Sequence, residues 1–396
     1  MASTLRKSLA AGGLATLGSL PVFLLGAQAV LMQEDLRFNE AELGIATGCF
    51  FGVAALTALV ASGLVDRLSS RRATFIATSI TAASALGIAF AAQSFQSLLA
   101  FLMLAGVGNA ALQMTANVAL ARSVARGGQG LAYGVKQSAP AVAIMLGGLA
   151  VPAVGLVFGW RWTFGVVAVV CVLVAIATAG GRASSRGRPL VTLPGGESAP
   201  RAALMVAATA TLLGSSAAVS LAAFLPNWAH QLGLSSAESG LLLSAGGAFA
   251  LVVRLGAGLA ADRRVGRHMP VVAGHLSVGA AGLMILSLEE SPISVIVTGA
   301  LIAFGIGWGW PGLLLFAVVR VGRERPGAAA GAMQGGNFAG AALGPMLFGY
   351  MASTVNYPAA WRAAAATMLL AAALLLVARR MFVTDMYRRP PGVAWD

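Results

Sequence analysis

Twelve stretches of roughly 20 or more predominantly apolar residues follow one another along this chain, and they constrain its fold more than any motif does. They run over about 9–32, 41–65, 73–93, 97–121, 130–157 and 160–181, then over about 202–229, 237–261, 270–288, 292–319, 327–353 and 358–378. A helix rises 1.5 Å per residue, so each stretch is long enough to cross a hydrocarbon layer about 30 Å thick. Only helices and closed barrels satisfy their own backbone polar groups there. Charged residues make up only 10% of the chain, against about 25% in soluble domains. The expectation is an all-α membrane protein with 12 transmembrane helices.

Arg6 and Lys7 ahead of the first stretch imitate the start of a signal peptide. That stretch is too long, and no small-residue cleavage site follows a short core, so it reads as an uncleaved first helix. Cys49 and Cys171 both fall inside spans, which predicts neither a disulfide framework nor a metal site.

The net charge of +13 could suggest a nucleic-acid partner, but its distribution argues for topology. With both termini cytoplasmic, 21 of the 26 basic residues fall in cytoplasmic segments. Arg37, Arg161 and Arg362 fall on the other side, and Lys136 and Arg254 lie inside spans. This is the positive-inside pattern of a multi-pass protein whose partner is the lipid bilayer.

The chain also repeats itself at a separation of about 197 residues. "EDLRFNEAELG" (34–44) aligns with "HQLGLSSAESG" (230–240), and "SGLVDR" (62–67) aligns with "GLAADR" (258–263). The second pair places Asp66 over Asp262 and Arg67 over Arg263. Gln137 falls on Gln334, and Gly147 on Gly344. Six spans per copy give both copies the same orientation, a parallel repeat about the membrane normal. Between them, residues 181–200 are rich in Gly, Ser, Pro and Arg and lack hydrophobic periodicity, as a linker would be. The predicted organisation is a six-helix bundle over 1–180, a cytoplasmic linker over 181–200, and a six-helix bundle with a cytoplasmic tail over 201–396.

On these residues the chain resembles the major facilitator superfamily of secondary transporters, over about 9–380. The most specific marker is the loop motif, "SGLVDRLSSRR" and "GLAADRRVGRH". It departs from the family pattern at Ser62 and Ser69, and by one extra residue before Gly266. The resemblance implies two pseudo-symmetric bundles that rock about a central site, in the inner membrane of a bacterium. It implies a monomer without cofactor. With His230 near a span end, His268 in a basic loop and His275 alone, no catalytic constellation is visible and an enzyme is not expected. The resemblance assigns Asp66, Arg67, Asp262 and Arg263 to a gate whose charges pair across the bundles when the cytoplasmic side closes. It also implies that spans two and eleven, and five and eight, meet at the interface between bundles. The glycine-dense stretch "GAMQGGNFAGAALGP" (331–345) would supply close packing there.

Polar residues inside spans are the candidate substrate contacts. Asn109, Gln113 and Asn117 recur every four residues in the fourth span, along one side of a helix. That span lines the cavity in the family. Gln137, Gln334 and Asn337 add amides in spans five and eleven. Ser215, Ser216 and Ser220 in span seven are weaker candidates. Trp308 and Trp310 lie in the tenth span, another cavity-lining helix of the family, while Trp160, Trp162, Tyr357 and Trp361 read as interfacial anchors. All 13 Asp and Glu residues lie in loops, tails or helix ends, so no deep carboxylate is available to neutralise a cationic substrate.

Lys136, one of two lysines against 24 arginines, is therefore the most informative residue. Lys136 and Arg254 lie in spans that face one another in the family, at a cost of about 2.5–3.5 kcal/mol for a charge at a helix centre. Snorkelling to the surface, or bonding of Arg254 to backbone carbonyls, would relieve them without a ligand. A substrate anion would relieve them as well, and family members that carry carboxylates use an eighth-span arginine. Arginine forks onto a carboxylate, whereas lysine is able to release its proton when the anion leaves. The leading expectation is secondary transport of a small organic, carboxylate-like anion, coupled to a proton or counter-anion. The alternatives are a multidrug or metabolite efflux pump and a non-transporting membrane sensor.

Overall fold

The computed structural model describes residues 2–123, 134–179, 198–263, 268–322 and 325–389, with the side chains of 2–5, 61–67, 121–123, 259, 261–263 and 326 outside the described residues. Helices α1 (Ala2–Ala27) and α2 (Ala29–Leu36) make the first crossing, with a one-residue turn at Gln28 between them. The next five are α3 (Glu40–Arg67), α4 (Ser70–Phe90), α5 (Phe95–Ser123), α6 (Gly134–Phe158) and α7 (Trp160–Ala179). The second set begins with α8 (Arg201–Gln231), α9 (Ser236–Arg263) and α10 (His268–Leu286). It ends with α11 (Ile293–Gly305), α12 (Pro311–Val321), α13 (Pro326–Thr354) and α14 (Tyr357–Arg388). Most of the predicted linker, residues 180–197, lies outside the described residues.

Among the described residues, ten helices are long and apolar enough to cross a membrane by themselves. The tenth crossing differs from the continuous helix that the sequence predicts over 292–319. It is split into α11 and α12 by a break at 306–310. Three glycines (Gly305, Gly307, Gly309) lower the helix propensity here, and Pro311 lacks the N–H that would bond the carbonyl of Gly307. The backbone bonds turn irregular, with Gly307 N–H donating to Ile302 O and Gly309 N–H to Ile306 O.

The interfacial-anchor reading of four aromatics holds for exposure at Trp162 alone. Trp160, Tyr357 and Trp361 are buried. Trp160 donates from Nε1 to Asp35, and Arg161 pairs with the same carboxylate. Tyr357 stacks on Trp228 at 5.2 Å, and Trp361 meets Phe348 edge-on at 4.5 Å. Burying these large rings against one another gains more contact than leaving them at the lipid boundary.

Among the described residues the helices run as twelve alternating passes, so the start of α1 and the end of α14 share one side, called here the terminal side. The two bundles meet where α3 packs on α13 and α6 packs on α9. On the far side the contact is backbone against backbone. A Cβ on Gly44 would lie 2.2 Å from Pro345 O, one on Gly48 2.5 Å from Ala342 O, and one on Gly148 2.3 Å from Gly240 O. Gly349 likewise faces Glu40 O at 2.3 Å. Only glycine permits such approach.

Toward the terminal side the same faces part. Gly331 lies five turns from Gly349 on one face of α13, and Gly258 lies three turns from Gly247 on one face of α9. Gly349 and Gly247 are packed against the other bundle, while nothing lies within 4 Å of a Cβ built on Gly331 or Gly258. Gly52, two turns beyond Gly44, is equally open. The bundles form a wedge, closed on the far side and open on the terminal side.

Candidate functional site

A cavity of about 100 Å³ sits between the bundles, under the closed part of the wedge. Lys136 and Arg254 line it, and neither reaches the surface, since they are only 6% and 9% exposed. Snorkelling is therefore not how these charges are accommodated. Instead both end on Gln137. Lys136 Nζ donates to Gln137 Oε1 at 3.3 Å, and Arg254 NH1 donates to the backbone carbonyl of Gln137 at 2.9 Å.

One helix irregularity prepares this geometry. The break between α11 and α12 exposes the carbonyl of Trp308, which accepts from Arg254 Nε at 3.0 Å. The guanidinium carbon also lies 5.4 Å from the centre of the Trp308 ring, within cation–π range. Arg254 is thus bound to one backbone carbonyl from each bundle. Its other terminal nitrogen takes no hydrogen bond among the described residues, and no carboxylate lines the cavity.

The remaining wall is amide, hydroxyl and aromatic. Ser19 bridges the amides of α5, donating to Asn109 Oδ1 at 3.4 Å and accepting from Gln113 Nε2 at 3.5 Å. Ser215 donates to Asn337 Oδ1 at 2.6 Å. Gln334 lines the side open to the gap. Trp308 and Trp310 close one wall, and Phe23 of the first bundle meets Trp308 of the second edge-on at 6.2 Å.

Nine of the ten residues singled out as substrate contacts therefore line this one cavity: Asn109, Gln113, Lys136, Gln137, Arg254, Trp308, Trp310, Gln334 and Asn337. Asn117 does not. It lies two helical turns beyond Asn109 toward the terminal side, about 12 Å along the axis, and is exposed there. Sequence reasoning passed over Ser19, Thr211, Phe23, Phe51 and Phe338, which also line the cavity. A serine or phenylalanine in an apolar span gives no signal by itself.

The four gating candidates stand at the ends of helices on the terminal side, Arg67 closing α3 and Arg263 closing α9. The side chains of Asp66, Arg67, Asp262 and Arg263 lie outside the described residues. No group of three or more His, Cys, Asp or Glu is placed to hold a metal among the described residues.

Compared with known proteins, the chain matches the Major Facilitator Superfamily over residues 10–334 and 204–393. No curated protein matches it. Among solved structures it is similar to a bacterial homolog of the human lysosomal transporter Spinster in two inward-facing conformations. The unoccupied form has a TM-score of 0.74 at 18% identity, covering 96% of this chain and 98% of that one. The occupied form has a TM-score of 0.75 at 17% identity, covering 96% and 97%. At such identity the likeness is one of fold.

Proposed function

The chain belongs to the Major Facilitator Superfamily of multi-pass secondary transporters, and we propose that its substrate is a small organic anion carrying a carboxylate-like group. The observation that carries this reading is the pair of buried cations converging on Gln137 in a cavity without a carboxylate. Arg254 has spare donors toward the cavity, Lys136 has two, and an anion would supply the charge that the protein does not. The aromatic wall of Phe23 and Trp308 suits an apolar portion of the same molecule.

Transport follows alternating access. The wedge is the state open to the terminal side, and closing that gap while parting the glycine-packed far side presents the cavity to the opposite compartment. The positive-inside pattern supports a cytoplasmic terminal side, and the family resemblance supports a bacterial inner membrane. Asp66, Arg67, Asp262 and Arg263 gate that side, and the repeat organises the two bundles about the 181–200 linker. A coupled proton or counter-anion drives the cycle.

The test is a binding screen of the purified full-length protein against acetate, benzoate, succinate and citrate, with tetraphenylphosphonium and ethidium as cationic probes. Saturable binding of one or more carboxylates, lost in Arg254→Ala, is expected. Binding of the cations with none of the carboxylates would overturn the anion reading in favour of drug efflux.

A further inference from the structure

Among the described residues, His275 is a buried titratable side chain beside the transport core that the anion site does not use. It lies on α10, one turn from Gly279, whose missing side chain lets α10 touch the break in the tenth crossing. A Cβ on Gly279 would sit 2.5 Å from the Cα of Gly307. The imidazole reaches the same break two residues further on. A Cβ on Gly309 would sit 3.0 Å from His275 Nδ1 and 3.2 Å from its Cε1. Nδ1 is buried and has no hydrogen-bond partner.

Arg254 grips the same break from α9, through the carbonyl of Trp308, the residue next to Gly309. One five-residue irregular segment is therefore flanked by a guanidinium already bonded to it and by an imidazole not yet bonded to anything through Nδ1. Pro311 leaves the Gly307 carbonyl without its usual helical donor, so an acceptor is available in the segment that His275 faces. A neutral imidazole carries one N–H, while a protonated one donates from both nitrogens. Imidazole also titrates between pH 5 and 8 when unperturbed.

The charged surroundings are sparse. Among the elements packed around His275, α9 brings Arg254 as its only charge between Glu238 and Asp262, and α12 brings Arg320 near its terminal-side end. α8 has no titratable group between Arg201 and His230, and α14 has none between Thr367 and Ala378. On α10 itself, His268 lies about two turns away, edge-on to Phe316. The proton on His275 therefore acts chiefly against Arg254, through the break that both flank.

We propose that His275 is a proton-binding site that sets the position of the tenth-crossing break, so that proton occupancy biases the seam between the bundles through Arg254 and Gln137. When His275 holds a proton, Nδ1–H draws the break toward α10, and Trp308 moves away from Arg254. Arg254 is then held by the Gln137 carbonyl of the other bundle alone. This holds whatever molecule occupies the cavity.

The experiment needs no substrate. Spin labels at Leu56→Cys and Gly331→Cys, with Cys49→Ser and Cys171→Ala, report the width of the gap in full-length protein in nanodiscs. Distance distributions are recorded by electron–electron resonance between pH 5 and 8.5. The expected result is a change of about threefold or more in the ratio of wide to narrow populations, flattened in His275→Asn and His275→Gln and also in Arg254→Gln. A pH-independent distribution in the parent protein would overturn the proposal, and so would an undiminished pH response in either His275 variant. Failure of carboxylates to bind in the screen above would leave this result unaffected, so the two readings fail separately.

Discussion

Arg254 and Gln137, from opposite bundles, are joined by a 2.9 Å bond from guanidinium to backbone carbonyl. It sits where the α6–α9 seam begins to part. Gly247, two turns to the far side, is still packed on Ala141 and Met145, while Gly258, one turn to the terminal side, meets nothing. A cation that faces the cavity is thereby also a clasp between the bundles, so whatever recruits its donors acts on the seam.

Replacing Arg254 or Lys136 by alanine should abolish carboxylate uptake into proteoliposomes while leaving expression and membrane insertion intact. A hydrogen bond to a charged group contributes about 1.5–3 kcal/mol, so affinity should fall tenfold or more. Lys136→Arg should be impaired, because a planar fork replaces a point charge that bonds Gln137 Oε1. Undiminished uptake in both alanine variants would remove these residues from the substrate path.

Gly44→Val and Gly331→Val should behave oppositely although both alter glycines on the same interface. At Gly44 the new Cβ would overlap Pro345 O at 2.2 Å, whereas at Gly331 it meets empty space. Overpacking costs about 1–3 kcal/mol, which should shift Gly44→Val toward a parted far side, read as faster labelling of a cysteine replacing the buried Ala223. Equal labelling in the two variants would contradict the wedge.

On the far side, Asn227 Nδ2 donates to Gln33 Oε1 at 2.6 Å, linking α8 to α2 across the bundles. Asn227→Ala should weaken this closure by about 1 kcal/mol, roughly a fivefold change in population. Gln33→Ala should match it, and the double variant should add little beyond either single one. Additive effects would mean the two residues act independently.

Leu190→Cys, in protein lacking the two native cysteines, should resist an impermeant thiol reagent added outside intact cells and react once the cells are opened. Ready labelling from outside would invert the orientation that 21 of 26 basic residues specify.

Asp66→Asn and Asp262→Asn should leave folded protein in the membrane yet slow transport several-fold, by removing carboxylates that the gating proposal pairs across the closing terminal side. Wild-type rates in both single variants and in the double one would reduce these residues to turn formers.

The helices and most of the cavity were legible in the sequence because the bilayer makes polar residues expensive, so Asn109, Gln113, Lys136 and Arg254 stand out against an apolar background. Asn117 carried the same signal and the same helical phase. Its depth, not its face, takes it out of the cavity, and periodicity says nothing about depth. The break at 306–310 was hidden for a different reason. Gly and Pro are tolerated inside membrane helices, so "GIGWGWPG" reads as a span until packing against Gly279 and His275 is known. Bonding of Arg254 to backbone carbonyls is among the readings the sequence allows, and the structure has it, but the choice of Gln137 is not legible, since every residue possesses a carbonyl.

The glycine contacts of the far side carry a consequence for how the two ends of the pathway respond to ionic strength. Gly44 on Pro345, Gly48 on Ala342 and Gly148 on Gly240 are uncharged surfaces in direct contact, and the Glu40 carboxylate at their edge meets the other bundle through the neutral amide of Gln231. Arginines crowd the helix ends on the terminal side instead, where screening acts over about 8 Å at physiological ionic strength. Raising salt should therefore act more on the terminal door of the transporter than on the far one, so the balance between its two faces shifts with the solution.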